Sequence, residues 1–196
     1  MTRSKKVLVV LAFILLTVVL VFLIGKSFGF FQYLKKGESV NIISIGGIDT
    51  KILSDNNALN LENSYPISDE EGVKLTPFVF NMTNNSSKNL SYTMKIEIDY
   101  DKLNDCTLSD GSSCSSISTD YIKFVYKKND GSYTAPANLA SSDNIITSDV
   151  IYSKDTVTSS IILWIDSSAG NEIMNKYFYG KLIITGEEYV SEAGNN

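Results

Sequence analysis

The sequence predicts an all-β protein, an antiparallel β-sandwich behind an N-terminal transmembrane helix. Three observations predict it. Residues 7–25, VLVVLAFILLTVVLVFLIG, are uncharged, and Thr17 is their only polar side chain. From Glu38 onward the apolar residues recur with a period of two. Clusters of Asn, Asp, Gly and Ser separate these alternating runs, and no long helical pattern intervenes.

Residues 1–6 form a short basic head with Arg3, Lys5 and Lys6. The apolar run of about 19 residues would be about 28 Å long as a helix, the thickness of a hydrocarbon core. A secretory signal usually has an apolar core of about 7–15 residues and a small-x-small cleavage site. Here Lys26-Ser27-Phe28-Gly29-Phe30-Phe31 follows instead. A buried helix of a soluble domain would not be apolar all round. The run is therefore expected to be an uncleaved signal anchor, with a cleaved signal as the alternative. The bases ahead of it predict a cytoplasmic N-terminus and a C-terminal domain outside, in a single-pass cell-membrane protein. Residues 26–37 form a juxtamembrane linker, where Phe28, Phe30, Phe31 and Tyr33 beside Lys26, Lys35 and Lys36 suit the interface. A type IV pilin is excluded, because Gly29-Phe30 lies after the run and the run contains no acid.

The extracytoplasmic sandwich is expected over residues 38–187. Val40, Ile42 and Ser44 share a face of the first strand, and Gly46-Gly47 offers a bulge or turn. Asp55-Asn56-Asn57 breaks the chain before a short strand with Leu59 and Leu61. Residues 65–72 read as a loop in which Gly72 supplies a positive φ if one is needed. A hairpin follows: residues 76–83 align Phe78, Phe80 and Met82, residues 84–89 turn, and residues 90–99 align Leu90, Tyr92, Met94, Ile96 and Ile98. Residues 100–118 are a polar connection. Residues 120–128 form the next strand, with Ile122, Phe124 and Tyr126 on one face, and Asn129-Asp130-Gly131 marks a tight turn. Residues 134–144 are loop, and 145–152 are strand-like. Ser153-Lys154-Asp155 turns the chain into residues 156–166. There IILWI is apolar on both faces, as in a covered central strand or a Trp at a sheet edge. Residues 167–176 allow one or two helical turns. Residues 177–186 form the last strand, and 188–196 are a polar tail. About seven or eight strands of this kind make an Ig-like or jelly-roll sandwich.

Composition narrows the function. The chain has 17 bases and 22 acids, for a net charge of −5. Six of the bases precede Glu38, the first acid, so the remainder has 11 bases against 22 acids, a net of −11. That excludes a nucleic-acid partner. There is no His, which removes the usual general base, triad partner and zinc ligand. No G-x-S-x-G elbow is present. The chain is therefore read as no enzyme, with no catalytic residues and no cofactor.

Other motifs leave candidates. Cys106 and Cys114, in DCTLSDGSSC, are too few for a zinc finger and too far apart for a C-x-x-C redox motif. They are a disulfide candidate, with two free thiols as the alternative. Asp69, Glu70 and Glu71 form one acidic cluster, and Asp99 and Asp101, with Asp105, form another. Loop carboxylates suit calcium, but neither cluster has a calcium-loop register, and solvated acids are the default. Sequons at Asn81, Asn84, Asn85 and Asn89 reflect Asn/Ser-rich composition. Tyr133, Tyr177 and Tyr179 are candidates for a contact face, with the solvent face of a sheet as the alternative.

The N-terminal apolar helix, PISDEEGVKLTPFVFNMTNNSS, ILWID and NEIMNKYFYGKLIITG together resemble small membrane-anchored surface proteins of low-GC Gram-positive bacteria. More loosely, the chain is similar to the TasA/camelysin group of matrix proteins. That resemblance implies a jelly-roll-like sandwich and fibre assembly by strand donation. The family is normally released by a signal peptidase, and no clear site is present here. No residues match a protease motif. The expected function is thus a non-catalytic anchored surface protein that mediates adhesion or assembly. Its partner would be the bilayer through residues 7–25, plus a protein or cell-envelope component, or a second copy. Alternatives are a ligand- or calcium-binding accessory module of a membrane complex, and a secreted fibre-forming matrix subunit.

Overall fold

The two longest alternating runs become the two central strands. In the computed structural model, which describes residues 42–54, 59–62 and 64–190, these are β11 (Thr156–Asp166) and β12 (Lys176–Glu188). The expected basic head, the expected anchor 7–25, the expected linker with its aromatic residues, Val40, the expected break at Asp55-Asn56-Asn57 and residues 191–196 lie outside the described residues. No helix among the described residues is long and apolar enough to cross a membrane.

Each central strand organises one sheet. In the first, β12 lies between β1 (Ile42–Ile45) and β6 (Leu90–Ile98), and β10 (Ile145–Ile151) flanks β6. Short strands β3 (Asn60–Leu61) and β7 (Ser115–Ser116) pair with the start of β12. In the second, β11 lies between β5 (Phe78–Asn84) and β8 (Ile122–Lys128). Beyond these lie β2 (Ile48–Ile52) and β9 (Ala137–Asn138), and β4 (Pro66–Ile67) joins the end of β11. Most ladders are antiparallel, but β1 and β7 run parallel to β12, and β4 runs parallel to β11. The predicted inward residues Phe78, Phe80, Met82, Leu90, Tyr92, Met94, Ile96, Ile122, Phe124 and Tyr126 are buried in one core between the sheets, Ile98 is only partly buried, and Leu182 and Ile184 of β12 join the core. The last strand runs two residues past its expected end, to Glu188.

The expected hairpin of residues 76–99 does not form. β5 pairs with β11 and β2, while β6 pairs with β12 and β10. The two strands therefore face each other across the core. Alternation states which side chains point inward, and both arrangements satisfy it. What decides is competition: β11 and β12 present longer apolar ladders than β5 and β6 offer each other. Residues 84–90 become an arch from one sheet to the other. The β1–β2 and β10–β11 links cross in the same way. Gly46 (φ +86°) and Gly47 (φ +85°) make the first crossing, and a side chain at Gly46 would run into the Gly186 carbonyl.

Asn84 ties two of the arches together. It is fully buried. Its Nδ2 donates to the carbonyls of Lys88 (2.8 Å), Ile151 (3.2 Å) and Tyr152 (3.1 Å). Its Oδ1 accepts from Ser86 N (2.9 Å) and Ser86 Oγ (2.7 Å). Its backbone N–H donates to the Asp155 carbonyl at 3.0 Å. Across the arches, Ser153 N donates to Asn89 Oδ1 (3.0 Å), and Ser153 Oγ donates to the Ser86 carbonyl (3.1 Å). A buried Asn84 has no room for a glycan on its sequon.

Two stretches read as loop contain helix. Ser68 opens α1 (Asp69–Gly72) with a capping box: its Oγ accepts from Glu71 N, and Glu71 Oε2 accepts from Ser68 N (3.1 Å). Gly72 is not at positive φ. A Cβ there would overlap the Trp164 indole, so Gly72 is needed for space. This helix, with Ile67, Val73 and Tyr133, covers Val125, Ile162 and Trp164 on the outer face of the second sheet. The doubly apolar IILWI is thereby a covered central strand rather than an edge. Asp99 caps α2 (Tyr100–Asp105) inside the expected polar connection, accepting from Lys102 N at 3.3 Å. The 134–144 loop contributes β9, and Asn129-Asp130-Gly131 turns β8 back toward it, with Gly131 N donating to the Lys128 carbonyl.

Replacing Asn84 removes its donor from the buried Ile151 carbonyl and from the Tyr152 carbonyl, which keeps Asp155 N, and it removes the acceptor of Ser86 N and Oγ. Asn84→Ala is expected to destabilise the domain by about 3–5 kcal/mol. A lower urea midpoint at an unchanged m-value would show it, and a midpoint equal to wild type would refute it.

Candidate functional site

The link between the central strands builds a cleft. At the end of β11, Asp166 folds the chain back: its Oδ1 accepts from Ser168 N (2.9 Å), and its carbonyl accepts from Ala169 N (2.9 Å). Gly170 N donates to Glu172 Oε1 (3.1 Å), and residues 171–173 make a 3₁₀ turn closed by Met174 N on the Asn171 carbonyl. The Glu172 carboxylate raises the Tyr121 pKa, while its own backbone and Gly170 N–H groups lower that of Glu172. Ala169 and Ile173 are buried in the main core, so the link is anchored from below. Opposite it, Pro66 is held by the parallel pairing of β4 with Ile165 and Asp166, and Tyr65 precedes it. The space enclosed is about 530 Å³, the scale of a small-molecule site. Tyr65 (82% exposed) and Met174 (66% exposed) offer apolar surface at its rim, and Asn171, Asn175 and Lys176 offer polar groups. Asn175 sits at φ +57°.

The disulfide lies beside this end of β12. Cys106 and Cys114 are bonded, with a Cα–Cα distance of 5.4 Å. Cys114 packs with Leu103 and Tyr179, and Cys106, Leu108 and Tyr177 close the cluster. Tyr177 and Tyr179 stack at 6.4 Å between centroids, with 6° between planes. Burial raises the Tyr179 pKa, with Glu62 adding to the effect. Tyr179 thus backs the disulfide loop, and Tyr177 both stacks on it and lines the cleft. Tyr133 lies elsewhere, over the outer apolar cluster, with Lys127 Nζ 5.0 Å from its ring centroid.

The calcium candidates are not brought together. Asp69 and Asp166 both meet Lys123, whose Nζ is 2.9 Å from Asp69 Oδ1 and 3.2 Å from Asp166 Oδ2. This cluster holds α1 against β8 and β11. Glu70 pairs with Lys74 at 3.3 Å, in solvent. Glu71 serves the capping box, which lowers its pKa. Asp99 caps α2, and Asp101 lies in its first turn. Among the described residues no group of three or more Cys, Asp or Glu stands close enough to hold a metal. The Lys123 ammonium is stabilised first by Asp69 and then by Asp166, against burial, which raises its pKa. A lysine held in its charged form is a poor nucleophile and here acts as a clamp.

Sequence reasoning singled out Tyr177 but missed Tyr65, Asn171, Met174, Asn175 and Lys176. No local pattern marks them, because β4 brings segments about a hundred residues apart to one place. Compared with family models, with curated proteins and with solved structures, the chain matches none.

Two outcomes are expected. Replacing both cysteines with Ser removes a short-loop crosslink and lowers stability by about 2–3 kcal/mol, read as a fall in the urea midpoint. Lys123→Met costs about 1–2 kcal/mol at neutral pH. The Asp166 pKa is lowered, chiefly by Ser168 N–H and then by Lys123. Its contribution is therefore present above the unfolded carboxylate pKa and lost as pH falls through the lower folded value. The Lys123 contribution is present below the unfolded lysine pKa and lost as pH rises through its raised folded value. The stability gap between wild type and Lys123→Met should narrow below about pH 3 and above about pH 11. A gap constant with pH would show that packing alone is responsible.

Proposed function

We propose that the chain is a non-catalytic, single-pass membrane-anchored cell-surface protein whose extracytoplasmic β-sandwich mediates adhesion or assembly. The observation that carries this reading is the Cys106–Cys114 disulfide on a β-sandwich downstream of an uncharged run of membrane-spanning length. Structural disulfides belong to oxidising compartments. In this reading residues 7–25 hold the bilayer, the N-terminus is cytoplasmic and the domain is outside. The net charge of −11 beyond residue 36 argues against nucleic acid. Of the two sandwich types expected, the crossing of consecutive strands between sheets favours the jelly-roll type, although β1 runs parallel to β12. A likeness to the TasA/camelysin proteins stays part of the proposal on the same grounds.

The cleft favours a second reading, an extracytoplasmic ligand-binding module of a membrane complex. It offers a shaped, partly apolar surface with few polar groups, the usual character of a ligand site.

Fractionation with intact-mass spectrometry tests the anchor. The expected species is 21.6 kDa, begins at Met1 and stays with the membrane after alkaline extraction. A soluble species beginning after about residue 26–37 would support the secreted matrix subunit instead. Co-sedimentation with isolated cell-envelope fragments tests adhesion, and a protein that stays monomeric and binds none of them contradicts it.

A further inference from the structure

We infer that the cleft between Tyr65-Pro66 and the β11–β12 link binds a saccharide that carries a carboxylate and an N-acetyl group. The inference rests on the reading of the chain as a binding module and names the ligand class of that site.

Four observations lead to it. First, the cleft is built in advance. Ala169 and Ile173 fix its floor in the core, and β4 pairing fixes Pro66, next to Tyr65. A ligand therefore meets little ordering cost. Second, its apolar surface includes tyrosine rings. Tyr65 stands 82% exposed at the rim, and Tyr177 is held by stacking on Tyr179. Flat amphipathic rings suit the C–H face of a sugar while leaving its hydroxyls free. Third, the polar groups include amides, Asn171 and Asn175. An amide both donates and accepts, which matches a hydroxyl or an acetamido group. The Met174 side chain beside them suits an acetyl methyl group.

Fourth, the charge is distinctive. The residues lining the cleft carry one formal charge, the Lys176 ammonium, and no carboxylate. This is a local positive site on a domain with twice as many acids as bases. Among the described residues Lys176 has no carboxylate within 4.0 Å, and Glu172 acts on it only at longer range. An ammonium facing such a cleft selects an anionic group on the ligand. A volume of about 530 Å³ accommodates a small saccharide rather than a long polymer segment.

The test is titration of the full-length protein in detergent micelles, followed by calorimetry. The probes are the disaccharide N-acetylglucosaminyl-N-acetylmuramic acid and its neutral counterpart chitobiose. The acidic disaccharide should bind saturably and about tenfold more tightly than chitobiose. Lys176→Gln should erase that difference by weakening only the acidic probe. Tyr65→Ala, at an exposed position that the fold does not need, should weaken both. No saturable binding of either sugar at millimolar concentration overturns the inference. So does binding that neither variant alters, or a proline-rich peptide that binds in the sugars' place and is lost in Tyr65→Ala. Co-sedimentation with envelope fragments separates the two readings. If wild type and Tyr65→Ala both sediment, and to the same extent, while neither sugar binds, adhesion stands and the cleft assignment falls. If neither sediments while the acidic disaccharide still binds, the cleft assignment stands and adhesion falls.

Discussion

A chain that crosses from one sheet to another leaves backbone groups that neither sheet can pair, and in this protein Asn84 takes up that demand. Its amide reaches the Lys88 carbonyl in its own arch and the Ile151 and Tyr152 carbonyls in the next. A buried carbonyl without a donor costs as much as a lost hydrogen bond. With those groups satisfied, β5 and β10 can end in one sheet and the opposite one without an exposed or dry polar gap. The core then needs only apolar filling between the sheets, which the alternating strands supply.

The other end of the sandwich is held differently. There the chain relies on a disulfide, two stacked tyrosines and a lysine between two aspartates. These contacts are partly open to solvent, and each contributes less than the arch network. The arrangement gives a rigid floor with accessible rim residues, as a site on loops over a firm scaffold requires. Tyr177 belongs to both structures, since it packs with the disulfide cluster and lines the cleft.

The inward series of β5, β6, β8 and β11 could be read from alternation alone, because burial of a face is a local property of a strand. Partner choice could not. Residues 76–99 carry a good hairpin pattern, yet their edges are taken by β11 and β12, more than sixty residues further along the chain. The capping box Ser68-Asp69-Glu70-Glu71 was legible in principle as S-x-x-E. It was hidden by the acids, which suggested a cation instead. Gly72 could not be interpreted without Trp164, because the reason for it lies on another element. The cysteine pair was visible, but the residues it packs against were not. Most of the cleft was invisible for the same reason as the strand partners: its walls are assembled by parallel pairing between distant segments.

The position of β12 has a temporal consequence. It is the last strand among the described residues, yet β1 pairs with it, from Ile42 against Leu182 to Ile45 against Thr185. β6 pairs with it along nine residues as well. A chain that emerges from its N-terminus therefore holds β1 and one edge of β6 unpaired until β12 has appeared. Such contacts between remote segments make closure slow and leave apolar edges open meanwhile. The first sheet is completed only when β12 arrives, so β1 and β6 wait for a segment far along the sequence before the domain can close.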